Sequence, residues 1–264
     1  MPAGANAGLM GTAKMDDGKE IAVAIATEVA KQIPVKAGYD DALSPGMKQV
    51  GKFVEDLGKS IRLVGLPLQV LAFIQDRVED LLSRSVHGIS DENLVAPAPQ
   101  IVVPVIEAAR LEPSGSPIDE MFEALLNKSM DASRVHLAHP SYPVIIPQLS
   151  PDEARLLRVL HLAKQVGSYP STIVKMDLDR STGRLTWINV VVEKDELDRS
   201  IFDFPENYAY YQQHLYSMGM TVVVKVNDDF LYDNGPNNNQ TGLRTTEEFQ
   251  LTKFGELFME AVTR

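Results

Sequence analysis

Along the first half of the chain apolar residues recur at steps of three and four, and in the second half the step shortens to two. The first pattern predicts amphipathic helices and the second half-buried strands. Over 20–31 the Ala-rich stretch EIAVAIATEVAK places Ile21, Ala24, Ile25 and Val29 on one face, and Pro34 ends it. Ser44 followed by Pro45 reads as an N-cap and first helical residue. The stripe Val50, Phe53, Val54, Leu57, Ile61 follows, and Val70, Leu71, Ile74, Val78, Leu81 and Leu82 continue it beyond Pro67. The expectation is one helix broken at Pro67, or two in succession, over 45–84. Pro97 and Pro99 open a helix carrying Val102, Val105, Ile106 and Ala109, with a kink expected at Pro104. Ser116 and Pro117 open another, with Ile118, Met121, Phe122, Leu125 and Leu126 on its face and Glu120 favouring its first turn. Residues 131–140 read as a connector and 141–148 as a short helix around Pro143.

The clearest helix start is Ser150, Pro151, Asp152, Glu153: a capping hydroxyl, a proline at the first position and two carboxylates at the positive end of the helix dipole. Its stripe is Leu156, Leu157, Val159, Leu160 and Ala163. After it, 173–178 and 185–192 read as strands joined by the turn 179–183. A Tyr-rich helix is expected over 205–218, a strand over 221–226, a polar structureless loop over 233–242 and an amphipathic helix over 252–262. No internal repeat is visible. The expected fold is mainly α with a C-terminal α+β part. A flexible tail (1–19) precedes an all-helical domain (20–148), and a winged-helix-like domain with an extra β-hairpin completes the chain (149–264).

Composition narrows the chemistry. The 264 residues include no cysteine, which excludes disulfides, thiol nucleophiles and Cys-based metal sites. The net charge is −11, shared by both halves, which argues against non-specific nucleic-acid binding and against adhesion to an anionic membrane surface. No basic start followed by an apolar run marks a secretory signal. The most apolar stretch, 61–74 (IRLVGLPLQVLAFI), carries one charge, Arg62, and its 14 residues fall short of the ~20 that cross a bilayer as a helix. It reads as a buried core helix. The alternative is a membrane-active segment hidden in the fold, with Ile61, Leu63, Leu66, Leu68, Leu71, Phe73 and Ile74 as its apolar residues.

The constellations that could carry chemistry are incomplete. Gly46 to Phe53 (GMKQVGKF) nearly matches a phosphate-binding loop, but Phe53 replaces the Mg²⁺-binding hydroxyl and no strand precedes it. Gly58-Lys59-Ser60 has the right ending, with Phe53 where the first glycine belongs. His136 and His139 are three apart, near Asp131, without a complete ligand set. No nucleophile elbow occurs. These patterns predict no catalytic residue, no metal and no cofactor. The Tyr-rich helix has no Lys or Arg between 206 and 218, and neither has the loop 233–242, so duplex DNA is not the expected partner. Tyr208, Tyr210, Tyr211 and Tyr216, with Asn234, Asn237, Asn238 and Asn239 of the loop, are the candidate protein-interaction surface.

Several stretches, in order, resemble the Abi-alpha (abortive infection alpha) family of bacterial proteins. They are Tyr39-Asp40-Asp41-Ala42-Leu43-Ser44-Pro45 with Gly51-Lys52; Pro97-Ala98-Pro99; Met121-Phe122-Glu123-Ala124-Leu125-Leu126; His139-Pro140-Ser141-Tyr142; Gln148-Leu149-Ser150-Pro151-Asp152-Glu153-Ala154; Ser217-Met218-Gly219-Met220; and Leu251-Thr252-Lys253-Phe254-Gly255-Glu256-Leu257-Phe258. The resemblance spans about 30–264. It implies a cytoplasmic protein tied to phage defence, with a helical region before a winged-helix-like end, and it supplies no catalytic residues. Three functions follow as expectations. The first is a non-enzymatic interaction, sensor or regulator protein with a protein partner, itself included. The second is an effector that exposes 61–74 on activation while staying off the membrane at rest. The third is a cryptic hydrolase or nucleotide-binding enzyme.

Overall fold

In a computed structural model, which describes residues 68–264, seven helices and a four-stranded antiparallel sheet are formed. The helices are α1 (Leu68–Ser85), α2 (Pro99–Ala109), α3 (Pro117–Ser129), α4 (Tyr142–Ile145), α5 (Pro151–Val166), α6 (Tyr208–Ser217) and α7 (Lys253–Val262). The strands are β1 (Ser171–Asp179), β2 (Thr186–Asp195), β3 (Thr221–Tyr232) and β4 (Gln240–Leu251), in the spatial order β2-β1-β4-β3. The expected helix over 20–31, the start at Ser44, both glycine-lysine stretches, and Ile61, Leu63 and Leu66 lie outside the described residues. Leu68, Leu71, Phe73 and Ile74 fall on α1, and their side chains are also outside what is described.

Helix starts follow local chemistry. Ser116 accepts a hydrogen bond from the Asp119 amide at 3.1 Å and Pro117 takes the first turn of α3. Ser150 accepts from the Glu153 amide at 3.2 Å while Glu153 accepts from the Ser150 amide at 2.7 Å, a complete capping box. α5 ends at Gly167, whose φ of 72° lies in the left-handed region that glycine enters without steric cost. The kink expected at Pro104 does not break α2, which runs through it and buries Ile101, Val102, Val105, Ile106 and Ala109. The burial of that stripe outweighs the single backbone bond that proline cannot make.

α3 is the centre of the helical layer and packs against α1, α2, α5 and α7. The expected apolar face of α3 is buried, and so is the opposite side, which carries Asp119, Glu123, Asn127 and Lys128. Each of these is paired. Asp119 holds Arg77 and, at 2.9 Å, Arg84. Glu123 holds Arg84 and Arg264. The Asn127 side-chain amide donates to Ser85 O at 2.7 Å, and Lys128 donates to Thr263 O at 2.8 Å. These contacts fasten α1 and the C-terminal residues to α3, and they satisfy groups that would be costly to bury alone.

The sheet grows from the end of α5. The 179–183 turn forms as expected: Asp179 accepts from the Ser181 amide at 2.8 Å, and Gly183 has φ 73°. Two expectations need correction. β3 does not stop near 226 but continues through Asn227, Asp228 and Asp229, which pair with Thr246, Thr245 and Arg244. Read alone, that Asn-Asp-Asp run looks like a turn; in the sheet Asp228 is held by the Thr245 hydroxyl at 2.8 Å. β4 begins at Gln240, so the polar loop shrinks to 233–239. α7 then lies close to the Met220 carbonyl. A Cβ added to Gly255 would sit 2.1 Å from that oxygen, so only glycine fits there.

Candidate interaction site

α6 sits between the N-terminus of α5 and the sheet, and its residues divide by direction. Tyr208, Tyr211 and Leu215 face inward and are buried, whereas Tyr210 and Tyr216 are 64% and 58% exposed. The four tyrosines therefore do not form one surface, and Tyr208 and Tyr211 are withdrawn from the expected contact set. Tyr208 stacks on Phe202 with ring centroids 6.0 Å apart, and the Arg199 guanidinium lies 4.3 Å from its ring centre. Burial pushes its hydroxyl up to about 12, with the nearby Asp195 charge adding to the effect.

The inward face is anchored by the two carboxylates at the start of α5. Asp152 accepts from the Asp203 amide, the Phe204 amide and the Tyr211 hydroxyl, each at 2.9 Å, and also pairs with Arg155. Burial alone would raise the Asp152 pKa; the hydrogen bonds outweigh it and hold the carboxyl below its ordinary 3.8. Glu153 closes the capping box and meets His214 Nδ1 at 2.6 Å. His214 in turn stacks on Tyr210, centroids 5.8 Å apart. In the sequence these acids read as dipole-favoured residues. In the fold they are also the attachment that sets the angle of α6.

The outward face of α6 lines an open groove against the sheet. Its walls are Ala209, Gln212, Gln213 and Tyr216 from α6 with Val223 and Phe249 from β3 and β4, and its volume is about 340 Å³. The lining offers amide groups, one phenol hydroxyl and apolar surface, with no carboxylate, imidazole or ammonium. That chemistry suits hydrogen bonding to a polypeptide backbone beside an apolar contact. α6 itself contains no Lys or Arg.

The loop 233–239 is ordered by one side chain rather than structureless. Asp233 accepts from the Gly235 amide at 3.2 Å and the Asn239 amide at 2.9 Å, while the Asp233 amide donates to Asn239 O at 2.9 Å. Asn238 takes a positive φ of 44°, which asparagine tolerates better than most residues. Asn234, Asn237, Asn238 and Asn239 are exposed at the tip. His136 is exposed, and His139 is engaged locally with Ser141, its Nδ1 2.8 Å from the hydroxyl. Among the described residues no group of three His, Asp or Glu is placed to hold a metal. No helix among them is long and apolar enough to cross a membrane.

One feature has no counterpart in the sequence-based expectation. Trp187, Val190 and Val192 of β2 are 42–64% exposed, as are several residues of β3. The signal was present: TWINVVV is apolar at successive positions, a pattern that ordinarily marks a strand covered on both faces.

Comparison with known proteins gives a family match. The model of the family described as Abortive infection alpha covers residues 69–262, most of the chain. No curated protein and no solved structure matches.

Proposed function

Because the chain belongs to the abortive infection alpha family, we propose that it acts in phage defence as a non-enzymatic interaction protein, sensing or relaying infection through its α+β part. The observation that carries this reading is the division of labour on α6. The titratable groups on its inner side are engaged in holding the helix, and its outer side presents Tyr210, Gln213 and Tyr216 beside a groove. A site for acid–base chemistry brings groups with opposed protonation roles together around a space for substrate. Here the groove walls are amide, phenol and aliphatic.

The sheet order supports a winged-helix-like reading of the α+β part. β4 lies between β1 and β3, α6 stands where such a domain carries its recognition helix, and β3–β4 with its tip forms the wing. β2 is the added hairpin strand, and 3₁₀ turns at Arg199–Ile201 and Pro205–Asn207 stand where a further helix would be. With no Lys or Arg on α6 and none in the tip 233–239, the partner of this surface is protein rather than duplex DNA. We place the protein in the cytoplasm, where infection is met.

Phage challenge tests the reading. Cells expressing the chain are expected to plate a susceptible phage at least tenfold less efficiently than cells with an empty vector. Equal plating across a broad phage panel, at confirmed expression, would contradict it.

A further inference from the structure

The tip 233–239 carries four exposed asparagines, and the residue that follows each of them differs. Asn234 precedes Gly235, the one Asn-Gly step in the 264 residues. Asn237, Asn238 and Asn239 precede Asn238, Asn239 and Gln240. An asparagine side-chain amide and the next backbone nitrogen are spaced to close a five-membered ring, so the attack is intramolecular. A Cβ on the next residue obstructs that approach, and glycine has none.

The backbone amides differ as well. The Asn238 amide donates to Gly235 O at 3.1 Å, inside the turn. The Asn239 amide donates to Asp233 Oδ1 at 2.9 Å, and Gln240 pairs with Tyr232 in the sheet. The Gly235 amide is held by the longest of these bonds, 3.2 Å to the same Asp233 oxygen. Asn234 and Gly235 are both exposed and lie between the strands, so water reaches the reacting atoms. Asp233 governs the Gly235 nitrogen. The hydrogen bond from the Asn239 amide, helped by that from Gly235, holds the Asp233 carboxyl below its ordinary 3.8. An anion that accepts the Gly235 N–H opposes loss of that proton in two ways: it binds the protonated form and it repels the amide anion.

We propose that Asn234–Gly235 is a self-modification site, where the chain converts Asn234 to aspartate and isoaspartate with water as co-reactant, and that Asp233 sets the pace by restraining the Gly235 nitrogen. Hydroxide removes the Gly235 N–H proton, and the electron pair on nitrogen forms a bond to Asn234 Cγ. The Cγ–Nδ2 bond breaks as Nδ2 takes a proton from water and leaves as ammonia. The product is a succinimide ring. Water then adds to one of the two ring carbonyls and breaks its bond to the Gly235 nitrogen, which recovers a proton. Opening at Cγ gives aspartate; opening at the main-chain carbonyl gives isoaspartate. One water is consumed, one ammonia is released, and nothing is oxidised or reduced. Either product places a new negative charge beside Asp233 in a chain already at −11, and isoaspartate lengthens the backbone by one carbon in the turn that Asp233 organises. Asn234 belongs to the candidate interaction surface, so the tip offered to a partner changes as the molecule ages. That consequence rests on the interaction reading; the reaction does not.

The experiment incubates the purified full chain in mildly alkaline buffer over days and maps its peptides by mass, separating the aspartate and isoaspartate forms by chromatography. The expected result is a gain of one mass unit at Asn234, with Asn237, Asn238 and Asn239 unchanged. Gly235→Ala should slow the change at least fivefold. The backbone at Gly235 is outside the left-handed region, and within 4 Å the added Cβ meets only Asp233, at 3.3 Å, so the tip should keep its fold. Asp233→Ala should speed the change at least threefold. Three results would overturn the proposal: Asn234 remaining an amide in both the wild type and Asp233→Ala; the asparagines after Pro236 converting as fast as Asn234; or Asp233→Ala converting no faster than the wild type. None of these readouts uses phage. An unreactive Asn234 overturns this inference and leaves the defence reading standing, whereas a converting chain that gives cells no protection does the reverse.

Discussion

Asp152 illustrates how one carboxylate positions a whole helix. It is buried, accepts three hydrogen bonds at 2.9 Å and pairs with Arg155, so it links α5, the 203–204 backbone and α6. Replacing it with Asn keeps one acceptor oxygen and introduces an amide beside backbone donors. The expected cost is about 2–3 kcal/mol at pH 7, read from urea unfolding. Its pH dependence has a definite sign. The folded pKa lies below 3.8, so the unfolded chain takes up the proton first as the pH falls. The stability from this ionisation is complete well above pH 3.8 and is lost as the pH drops through the folded value. The gap between wild type and Asp152→Asn should therefore be widest near neutrality and narrow below about pH 4; a gap independent of pH would show that the ionised form carries no part of the attachment.

At the scale of elements, the sequence marked helix starts well because they depend on residues within one turn of each other: Ser116 with Pro117, and Ser150 with Glu153. The stripes of α2, α3 and α5 and the 179–183 turn were legible for the same local reason. What was not legible depends on distant partners. Asn227 to Asp229 became strand because β4 pairs with them. The charged side of α3 became core because Arg77, Arg84 and Arg264 reach it from elsewhere in the chain. On the candidate site, the tyrosine spacing marked α6 but not which rings face out. That division follows from Asp152, 59 residues from Tyr211, and from the aromatic ring of Phe202. The absence of Lys and Arg on α6 gives a prediction at this scale. In fluorescence anisotropy at physiological salt, no duplex DNA should bind with a submicromolar dissociation constant. Submicromolar binding with a steep salt dependence would reassign α6 to nucleic acid.

For the molecule as a whole, the helical layer and the sheet play different parts. α3 gathers the helices and the C-terminal residues into one core, and α5 carries that core into the sheet and into the anchor of α6. The groove beside α6 and the exposed apolar residues of β2 and β3 belong to the α+β part. The proposed function places recognition in that part and support in the helices. The most direct test is phage plating on cells expressing Gln213→Ala/Tyr216→Ala at the wild-type protein level. Both side chains are exposed on the groove wall, so the melting temperature should shift little. The account predicts that protection falls at least tenfold while the fold is retained. Full protection by this folded variant would place recognition elsewhere in the chain and contradict it.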